Sequence, residues 1–266
     1  MISARASTES LLIRGRLPDK SAIEVEGVHK IYGPKGSHIL ALSDISLTVE
    51  RGAFVCLVGA SGCGKSTLLA LIAKLEKPDA GRLKARGKLG LLFQDAALFP
   101  WLTAGQNVEL ALRLAGVPRR ERASRASDLL ALVHLDGFGD RRPHELSGGM
   151  RQRTALARAL AQNADILLMD EPFGALDAMT RDLLHDELER LWAETGFTVL
   201  FVTHDVREAV RLGDRVLVLT SRPGRVADEV AIDLPRPRPV GSPAIGELSE
   251  RIIASLRAEV MRHASE

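Results

Sequence analysis

The stretch "FVCLVGASGCGKSTLLALIAKL", Phe54 to Leu75, decides the fold of this 266-residue chain. It opens on a continuous apolar run, the pattern of a strand buried on both faces of a parallel sheet. A glycine-rich loop with the spacing G-x-x-x-x-G-K-[ST] follows, from Gly59 to Ser66, and leads into a helical pattern. Glycines at this spacing let backbone N–H groups wrap around phosphates at the helix N-terminus. The stretch therefore predicts an α/β fold that binds a nucleoside triphosphate.

The loop itself supplies the first candidate binding residues. Lys65 is placed to reach the β- and γ-phosphate oxygens, and the Ser66 hydroxyl is placed to bind Mg²⁺. We assign the whole loop to nucleotide binding: Gly59, Ala60, Ser61, Gly62, Cys63, Gly64, Lys65, Ser66 and Thr67. Because Cys63 lies inside this loop, we expect a thiol reagent to inhibit the protein and bound nucleotide to protect it.

Composition and charge are those of a soluble globular protein. Apolar residues make up 45% of the chain and charged residues 26%. No apolar run approaches the roughly 18 residues of a membrane helix. The net charge of +2, from 36 basic and 34 acidic residues, argues against bulk binding to nucleic acid. The two cysteines, Cys56 and Cys63, indicate reduced thiols in the cytosol.

The apolar pattern along the chain predicts two sheets. Two stretches, Ala22–Val28 and Ile45–Val49, alternate apolar and polar residues as in a half-exposed antiparallel sheet. Four continuous apolar runs, separated by helical patterns, indicate buried parallel strands. These runs are Phe54–Gly59, Leu89–Phe93, Ile166–Met169 and Thr198–Thr203. A helix-rich insert lies between the second and third runs, with a capping box from Thr103 to Gln106 near its start.

Polar residues follow the last three of these runs: Gln94, then Asp170 and Glu171, then His204. Because the carboxyl ends of parallel strands form one crevice, we expect these side chains to gather around the phosphates. Asp170 suits Mg²⁺, through a water, and Glu171 is the candidate general base for the attacking water. Gln94 is a candidate contact for Mg²⁺ or that water, and His204 for the γ-phosphate.

Two features outside the loop also concern the nucleotide. Tyr32 is the single tyrosine of the chain, and we expect it to stack on the adenine ring; packing against the sheet edge is the alternative. The stretch "LSGGMRQR", Leu146–Arg153, is a second candidate phosphate site, because a Ser-Gly-Gly at a helix start suits an anion. The chain thus has two such sites where one nucleotide needs only one.

These motifs occur in the order found in the ATP-binding subunits of ABC transporters, and the chain resembles that family from about Ala22 to Val230. The matching segments are the aromatic loop at Tyr32, the Walker A loop, the Q-loop at Gln94, the signature "LSGGMRQR", the Walker B strand "ILLMDEP", the D-loop "GALD" at Gly174–Asp177 and the switch histidine His204. The resemblance implies a P-loop NTPase (RecA-like) parallel-sheet core, an N-terminal antiparallel β subdomain and an inserted α-helical subdomain. It also implies ATP and Mg²⁺ as ligands.

The resemblance explains the second phosphate site. In this family two subunits pack head to tail, and each ATP lies between the Walker A loop of one subunit and the signature of the other. The chain is thus expected to form a homodimer, with contacts to the partner's ATP from Ser147, Gly148, Gly149, Gln152 and Asp177. The catalytic residues implied are Glu171, His204 and Gln94, and the metal contacts are Ser66, Gln94 and Asp170.

The segments "FQDAALFPWLTAGQNV" and "LVLTSRPGRV" are similar to those of importer ATPases for nitrate, taurine, other sulfonates or bicarbonate. This likeness implies an ATPase that drives uptake of a small anion through separate integral membrane permease subunits, together with an extracytoplasmic substrate-binding protein. It places the chain peripherally on the cytoplasmic face of the cell (inner) membrane. Phe99–Gln106 matches the region that receives the permease's coupling helix, with a local core under the Q-loop as the alternative.

The expected organisation has three parts. Residues 1–20 are a disordered tail, residues 21–235 the ATP-binding domain with a helical subdomain at about 102–163, and residues 236–266 a proline-rich linker and an amphipathic helix. Apolar residues recur in that helix at Ile245, Leu248, Ile252, Leu256 and Val260. We favour a helix that docks on its own domain over one on a membrane surface, because acidic residues dilute its positive charge.

Other functions remain open at the level of the sequence. A soluble ABC ATPase acting on DNA or ribosomes is disfavoured, because no coiled coil, zinc module or tandem ATPase unit is visible; we expect no nucleic-acid partner. A nucleotide-dependent switch without turnover is disfavoured by the presence of both Glu171 and His204. An importer ATPase for another class of substrate is a further alternative.

Overall fold

The computed structural model describes residues 20–34, 37–239 and 241–264, and the side chains of the last helix as far as residue 258. The tail expected at residues 1–20 lies outside these residues except for Lys20. Within the described residues, no helix is both long and apolar enough to cross a membrane.

The core is a six-stranded sheet in the order β5-β6-β7-β3-β8-β9. Its strands are β3 (Phe54–Gly59), β5 (Leu89–Leu92), β6 (Ile166–Asp170), β7 (Thr198–Val202), β8 (Arg215–Leu219) and β9 (Val226–Ala231). All neighbouring pairs are parallel except β8 and β9. The three central strands β3, β6 and β7 are buried along their whole length, which explains their unbroken apolar sequences. The expected parallel-sheet core is confirmed.

A second sheet has three antiparallel strands in the order β2-β1-β4. They are β1 (Ser21–Tyr32), β2 (Ile39–Glu50) and β4 (Ala80–Ala85). The apolar residues of the alternating segments in β1 and β2 face a core that also contains one face of the large sheet, and their polar residues face outward. The expected antiparallel sheet is also confirmed.

Helices cover both sheets and form the insert. They are α1 (Lys65–Ile72), α2 (Ala104–Leu114), α3 (Arg119–Leu132), α4 (Gly148–Leu160), α5 (Ala178–Thr195), α6 (Val206–Leu212) and α7 (Pro243–Ala264). α2, α3 and α4 pack together as the insert between β5 and β6. The capping box at α2 is present: Thr103 and Gln106 each bind the backbone N–H of the other.

Two strands of the large sheet are not among the four runs that the sequence pattern identifies. β8 contains the four-residue apolar run Val216–Leu219, which is as long as the run Ile166–Met169 but was not among the segments assigned to parallel strands. β9 is an edge strand with the half-polar sequence "VADEVA", and edge strands need only one apolar face. β8 bears on the site, because this strand lies directly beside β3, which leads into the phosphate loop.

The last helix packs on the same domain. In α7, Ile245 and Ile252 are buried, and Leu248 and Leu256 pack partly against the same core. The helix contacts α6, β8 and β9. Two arginines of the preceding linker also hold that segment in place: Arg238 donates to five backbone carbonyls, and the Arg236 guanidinium stacks over Trp192 at 4.4 Å from the ring centroid.

Candidate nucleotide-binding site

The phosphate loop joins the end of β3 to the start of α1 through positions that require glycine. Gly64, directly before α1, has φ of +97°, in the left-handed region. A Cβ at this position would lie 2.5 Å from Leu42 Cδ2, and one at Gly59 would lie 2.7 Å from Cys63 Sγ. The loop therefore packs too closely against its surroundings to accept side chains at either position.

Lys65 is the first residue of α1, and its ammonium group is held against the loop. The side chain is buried, and Nζ donates to the carbonyl oxygens of Gly59 at 2.8 Å and Ala60 at 3.1 Å. These bonds compensate for the burial of a charged group. Phosphate oxygens are stronger acceptors than carbonyl oxygens, so a bound triphosphate can replace these partners.

The sheet brings the other expected residues to one edge. Its register pairs Asp170, at the end of β6, with Val202, at the end of β7, and pairs Val202 with Leu57 of β3. Gln94 follows β5 and His204 follows β7. Four neighbouring strands thus end together, which is the crevice expected at the carboxyl edge of an open α/β sheet.

An open cavity of about 630 Å³ lies at this edge. Ten of the expected residues line it: Tyr32, Ser61, Gly62, Gly64, Lys65, Ser66, Thr67, Gln94, Glu171 and His204. Four other expected residues do not line the cavity but contact residues that do. The Lys65 ammonium group contacts Gly59, Ala60 and Cys63, and Ser66 contacts Asp170. The volume is within the range of pockets that bind small molecules.

Glu171 and His204 are in direct contact. His204 Nδ1 lies 3.0 Å from Glu171 Oε2, and the Glu171 N–H donates to the carbonyl of Val202 at 2.9 Å. Glu171 has φ of +45°, a conformation that non-glycine residues rarely adopt. Such strain persists where the surrounding structure imposes it, and it is frequent at catalytic sites. The turn separates the Glu171 side chain, which faces the cavity, from the buried side chain of Asp170.

Asp170 is buried behind the phosphate loop. Burial raises the pKa of its carboxyl group, and a hydrogen bond from the Ser66 hydroxyl opposes that shift. The contact joins the end of β6 to the start of α1. It also places a carboxylate beside Ser66, which lines the cavity.

Tyr32 is the last residue of β1 and forms one side of the cavity. Its hydroxyl donates to Glu76 Oε2 at 2.6 Å, and Lys30 Nζ lies 5.1 Å from the ring centroid. These contacts hold the ring at the cavity wall. An aromatic face presented there is available to a planar ligand group.

The signature segment forms an exposed helix N-terminus. Ser147 precedes α4, and its Oγ accepts from the Met150 N–H at 3.2 Å, so its hydroxyl proton remains free to be donated. Ser147 and Gly148 are exposed. A Cβ at Gly149 would lie 2.9 Å from Leu176 Cδ2, so the start of α4 packs closely against the segment before Asp177. Among the described residues that line the nucleotide cavity, none comes from this segment.

Gln152 and Asp177 differ in their exposure. Asp177 is exposed and caps α5 by accepting from the Thr180 N–H at 2.9 Å. Gln152 is 4% exposed, and its Nε2 donates to the carbonyl of Phe93 at 3.4 Å. The contact of Gln152 with a partner's ATP stays a prediction; within one chain the side chain links α4 to the segment before Gln94.

The comparisons with known proteins agree with this geometry. The model of the ABC transporter family matches residues 42–174. A protein of Methanocaldococcus jannaschii described as an uncharacterized ABC transporter ATP-binding protein is 45% identical over 251 residues, covering 91% of this chain and 94% of that protein. The chain belongs to the ABC transporter ATP-binding family. It binds ATP and hydrolyses it.

Other members of the ABC family have more specific names. The nitrate import ATP-binding protein NrtD of Synechocystis is 46% identical over 221 residues, covering 80% of this chain and 83% of that protein. The aliphatic sulfonates import ATP-binding protein SsuB 1 of Burkholderia cenocepacia is 46% identical over 250 residues, covering 92% and 74%. A solved dimeric ATP-binding cassette, in a post-hydrolysis state with ADP and Pi, superposes with a TM-score of 0.74 at 36% identity, covering 80% and 99%.

Three residues that line the cavity of this ABC ATPase were not expected from its sequence: Ile39, Ala41 and Arg222. Ile39 and Ala41 belong to β2 and follow the segment after Tyr32. Arg222 lies in the turn between β8 and β9. The reasoning from strand ends that selected Gln94 and His204 would also have selected this turn if β8 had been recognised as a parallel strand.

Cys63 is not the accessible thiol that its place in the loop suggests. The side chain is 1% exposed, and its Sγ lies 3.8 Å from Lys65 Nζ. Burial raises the pKa of the Cys63 thiol above its usual value, and the Lys65 charge only partly opposes this. Because the thiolate is the reactive form, the folded protein should be labelled slowly. Inhibition by a thiol reagent stays a prediction, and we now expect it to be slow.

We predict that a maleimide reagent labels Cys63 at least tenfold more slowly in the folded protein than in urea at pH 7.5. A raised pKa reduces the thiolate fraction at this pH, so the labelling rate should increase as the pH rises toward the shifted pKa. Mass spectrometry of a Cys56→Ala variant measures this rate at a single thiol. Labelling of the folded variant as fast as that of the unfolded chain would contradict the burial of Cys63.

Proposed function

We propose that this chain is the ATPase of an importer for a small anion and that two copies close around two ATP molecules. The observation that carries the catalytic part is the Glu171–His204 pair, which faces the same cavity as Lys65 and Ser66. The relatives named for nitrate and aliphatic sulfonates support the class of substrate. We also propose the domain boundaries given above, with residues 21–235 as the ATP-binding domain.

The residues at the base of the cavity fit Mg²⁺. Ser66 and Asp170 are hydrogen-bonded to each other, Gln94 lines the same cavity, and all three offer the oxygen atoms that Mg²⁺ prefers. Ser66, Asp170 and Gln94 supply too few oxygen ligands to surround the ion, so nucleotide phosphates and water would complete its coordination. Bound Mg²⁺ would stabilise the charge that develops on the phosphates.

The chain's own residues account for the attack on the γ-phosphate. The Glu171 carboxylate accepts a proton from the attacking water. The water oxygen bonds to the γ-phosphorus while the bond between that phosphorus and the β–γ bridging oxygen breaks, which releases ADP and phosphate. His204 contacts Glu171 and is 65% exposed toward the cavity, so it orients the carboxylate and can contact the γ-phosphate. Lys65 holds the β- and γ-phosphates in place.

We predict that Glu171→Gln lowers the ATP hydrolysis rate at least about 10²-fold, because the amide cannot accept the proton. ATP binding should change less than about threefold, since the amide keeps the size of the carboxylate and adds no negative charge. Phosphate release and equilibrium binding of a fluorescent ATP analogue measure the two quantities. The matched control is Glu26→Gln, at an exposed site on β1. Hydrolysis at the wild-type rate in Glu171→Gln would remove this residue as the base.

The homodimer follows from the two separated phosphate-binding surfaces. Ser147 and the N-terminus of α4 are exposed, and they do not line the cavity that contains Lys65. A helix N-terminus with free N–H groups and a serine hydroxyl suits the γ-phosphate of an ATP bound to a second copy. Met179, 79% exposed beside Asp177, adds an apolar contact next to this surface. The solved dimeric cassettes among the similar structures support this assembly.

We predict that Ser147→Asp abolishes ATP-driven dimerisation while the monomer still binds ATP. Aspartate caps a helix as well as serine does, but its charge repels the phosphate. Ser147→Asn is the matched control, because asparagine also caps the helix and is neutral. Light scattering with ATP in a Glu171→Gln background measures the dimer. Equal loss of dimerisation in both variants would attribute the effect to packing rather than charge. Loss of ATP binding by the monomer would contradict the proposal that Ser147 contacts the ATP of a second copy.

The permease surface is an apolar groove between the insert and the large sheet. A cavity of about 470 Å³ is lined by the side chains of Leu75, Leu91, Phe93, Phe99 and Leu114, among others. Several of these are exposed, and Trp101, 68% exposed, lies against Phe99 with ring centroids 5.4 Å apart. Exposed apolar patches of this kind mark interaction sites. The groove and the 99–106 segment support docking of a permease helix, which would hold the protein at the cytoplasmic face of the membrane.

Asn107 keeps one wall of this groove rigid. Its side chain is buried, accepts from the Phe99 N–H at 2.9 Å and donates to the carbonyl of Thr103 at 2.9 Å. The segment that carries Phe99 and Trp101 is therefore fixed to α2. A preformed groove lowers the entropy cost of binding a helix.

We predict that Leu114→Gln weakens binding to the permease at least tenfold and leaves hydrolysis by the isolated ATPase within twofold of wild type. Arg113→Gln is the matched control, because it places the same side chain one residue away at a position that does not line the groove. Co-purification with the permease from detergent measures binding. Equal retention of the permease by both variants would contradict this use of the groove.

A further inference from the structure

We propose that Arg222 is a phosphate-binding residue of the ATP site, an inference that rests on the proposed function. Arg222 lies in the turn between β8 and β9 and lines the same cavity as Lys65, Ser66 and Glu171. Its Nε donates to the carbonyl oxygen of Gly62, in the phosphate loop, at 3.1 Å. This bond holds the guanidinium at the rim of the loop that wraps the phosphates.

The turn that carries Arg222 is wedged between the phosphate loop and β2. The Gly224 N–H donates to the carbonyl of Ala41 at 2.9 Å, and the Gly224 carbonyl accepts from Ser43. A Cβ at Gly224 would lie 2.1 Å from the Cys63 carbonyl oxygen, so any residue other than glycine at this position would clash with the backbone of the phosphate loop. Thr220 closes the turn by accepting from the Arg225 N–H. These backbone contacts therefore fix the position of the turn that carries Arg222.

The guanidinium has capacity for a further ligand. Its Nε is bound to Gly62, which leaves the two NH₂ groups, and Nη2 would lie 2.9 Å from a Cβ at Gly62. Across the described part of the chain, no carboxylate lies within ion-pair distance of Arg222. A cation that is anchored to a phosphate loop and has no acidic partner is suited to a phosphate oxygen.

The charge of the site favours the same assignment. Lys65 and one divalent cation offset only part of the charge of a triphosphate, and Asp170 and Glu171 add negative charge at the same edge of the sheet. A second cation bound to the loop reduces this imbalance. Arg222 contacts the loop from the turn after β8, whereas Lys65 contacts it from the start of α1.

The test is ATP affinity of the monomer, measured in a Ser147→Asp background that blocks dimerisation. We expect Arg222→Gln to weaken ATP binding about tenfold, because it removes a charge-assisted bond. Arg225→Gln is the matched control: it removes the same charge from the same turn, at an exposed position that does not line the cavity. Arg222→Lys should fall between, since an ammonium lacks the fork that serves the Gly62 carbonyl and a phosphate together.

Two further readouts separate a phosphate contact from a purely structural bond to Gly62. The difference between Arg222→Gln and wild type should shrink as salt rises from about 0.05 to about 0.5 M, because screening weakens charge interactions. Melting temperature without nucleotide should match that of Arg225→Gln. A salt-independent loss accompanied by lower thermal stability would overturn the proposal.

The remaining outcomes also decide the matter. Equal ATP affinity in Arg222→Gln and Arg225→Gln would overturn the inference. Unchanged monomer affinity with weaker dimerisation, measured with Ser147 intact, would instead assign the guanidinium to the partner chain. If Ser147→Asp leaves ATP-driven dimerisation intact, the proposed dimer fails instead, so the two failures are distinguishable.

Discussion

The common edge at which neighbouring parallel strands end is the constraint on which the rest of the structure depends. β5, β6, β7, β3 and β8 lie side by side, and the segments that follow them supply Gln94, Glu171, His204, the phosphate loop and Arg222. The backbone hydrogen bonds between the strands determine this alignment, because their register decides which strand ends lie together. If one strand shifted its pairing by one residue, its side chains would move to the opposite faces of the sheet, and the site residue that follows it would be displaced from the cavity.

The sequence was a good guide where function requires particular residue types at strand ends. The glycine spacing of the phosphate loop follows from close backbone approach, and the structure shows this at Gly59 and Gly64. The pattern was a poor guide where burial depends on tertiary packing. Gln152 lies on a helix with an exposed N-terminus, and only the packing of that helix shows that its side chain is buried against the segment before Gln94. Arg222 was not among the expected residues because the apolar run of β8 was not assigned to a parallel strand, so the turn that follows it was not considered.

The contacts of α4 connect the two functional surfaces of this ABC ATPase. Ser147 caps its exposed N-terminus, and Gln152 contacts the carbonyl of Phe93 beside Gln94. Nearly two turns further along, Arg158 donates to the carbonyls of Ala96 and Ala97, next to the groove proposed for the permease. The helix that would meet the partner's ATP is thus bonded to the segment that joins the nucleotide cavity to the groove. These contacts offer a physical route by which closure of the dimer could move the groove, as coupled transport requires.

We propose that a second copy of the chain completes each nucleotide site, and the association of a mixed dimer can decide this. Lys65→Ala damages the phosphate loop and Ser147→Asp damages the signature, so a pair containing one chain of each kind retains one intact composite site. ATP-dependent association of two differently labelled chains, followed by energy transfer in a Glu171→Gln background, measures pairing. We predict that the mixed pair associates more strongly than either variant with itself. Association no stronger than the average of the two self-pairs would contradict a site shared between chains.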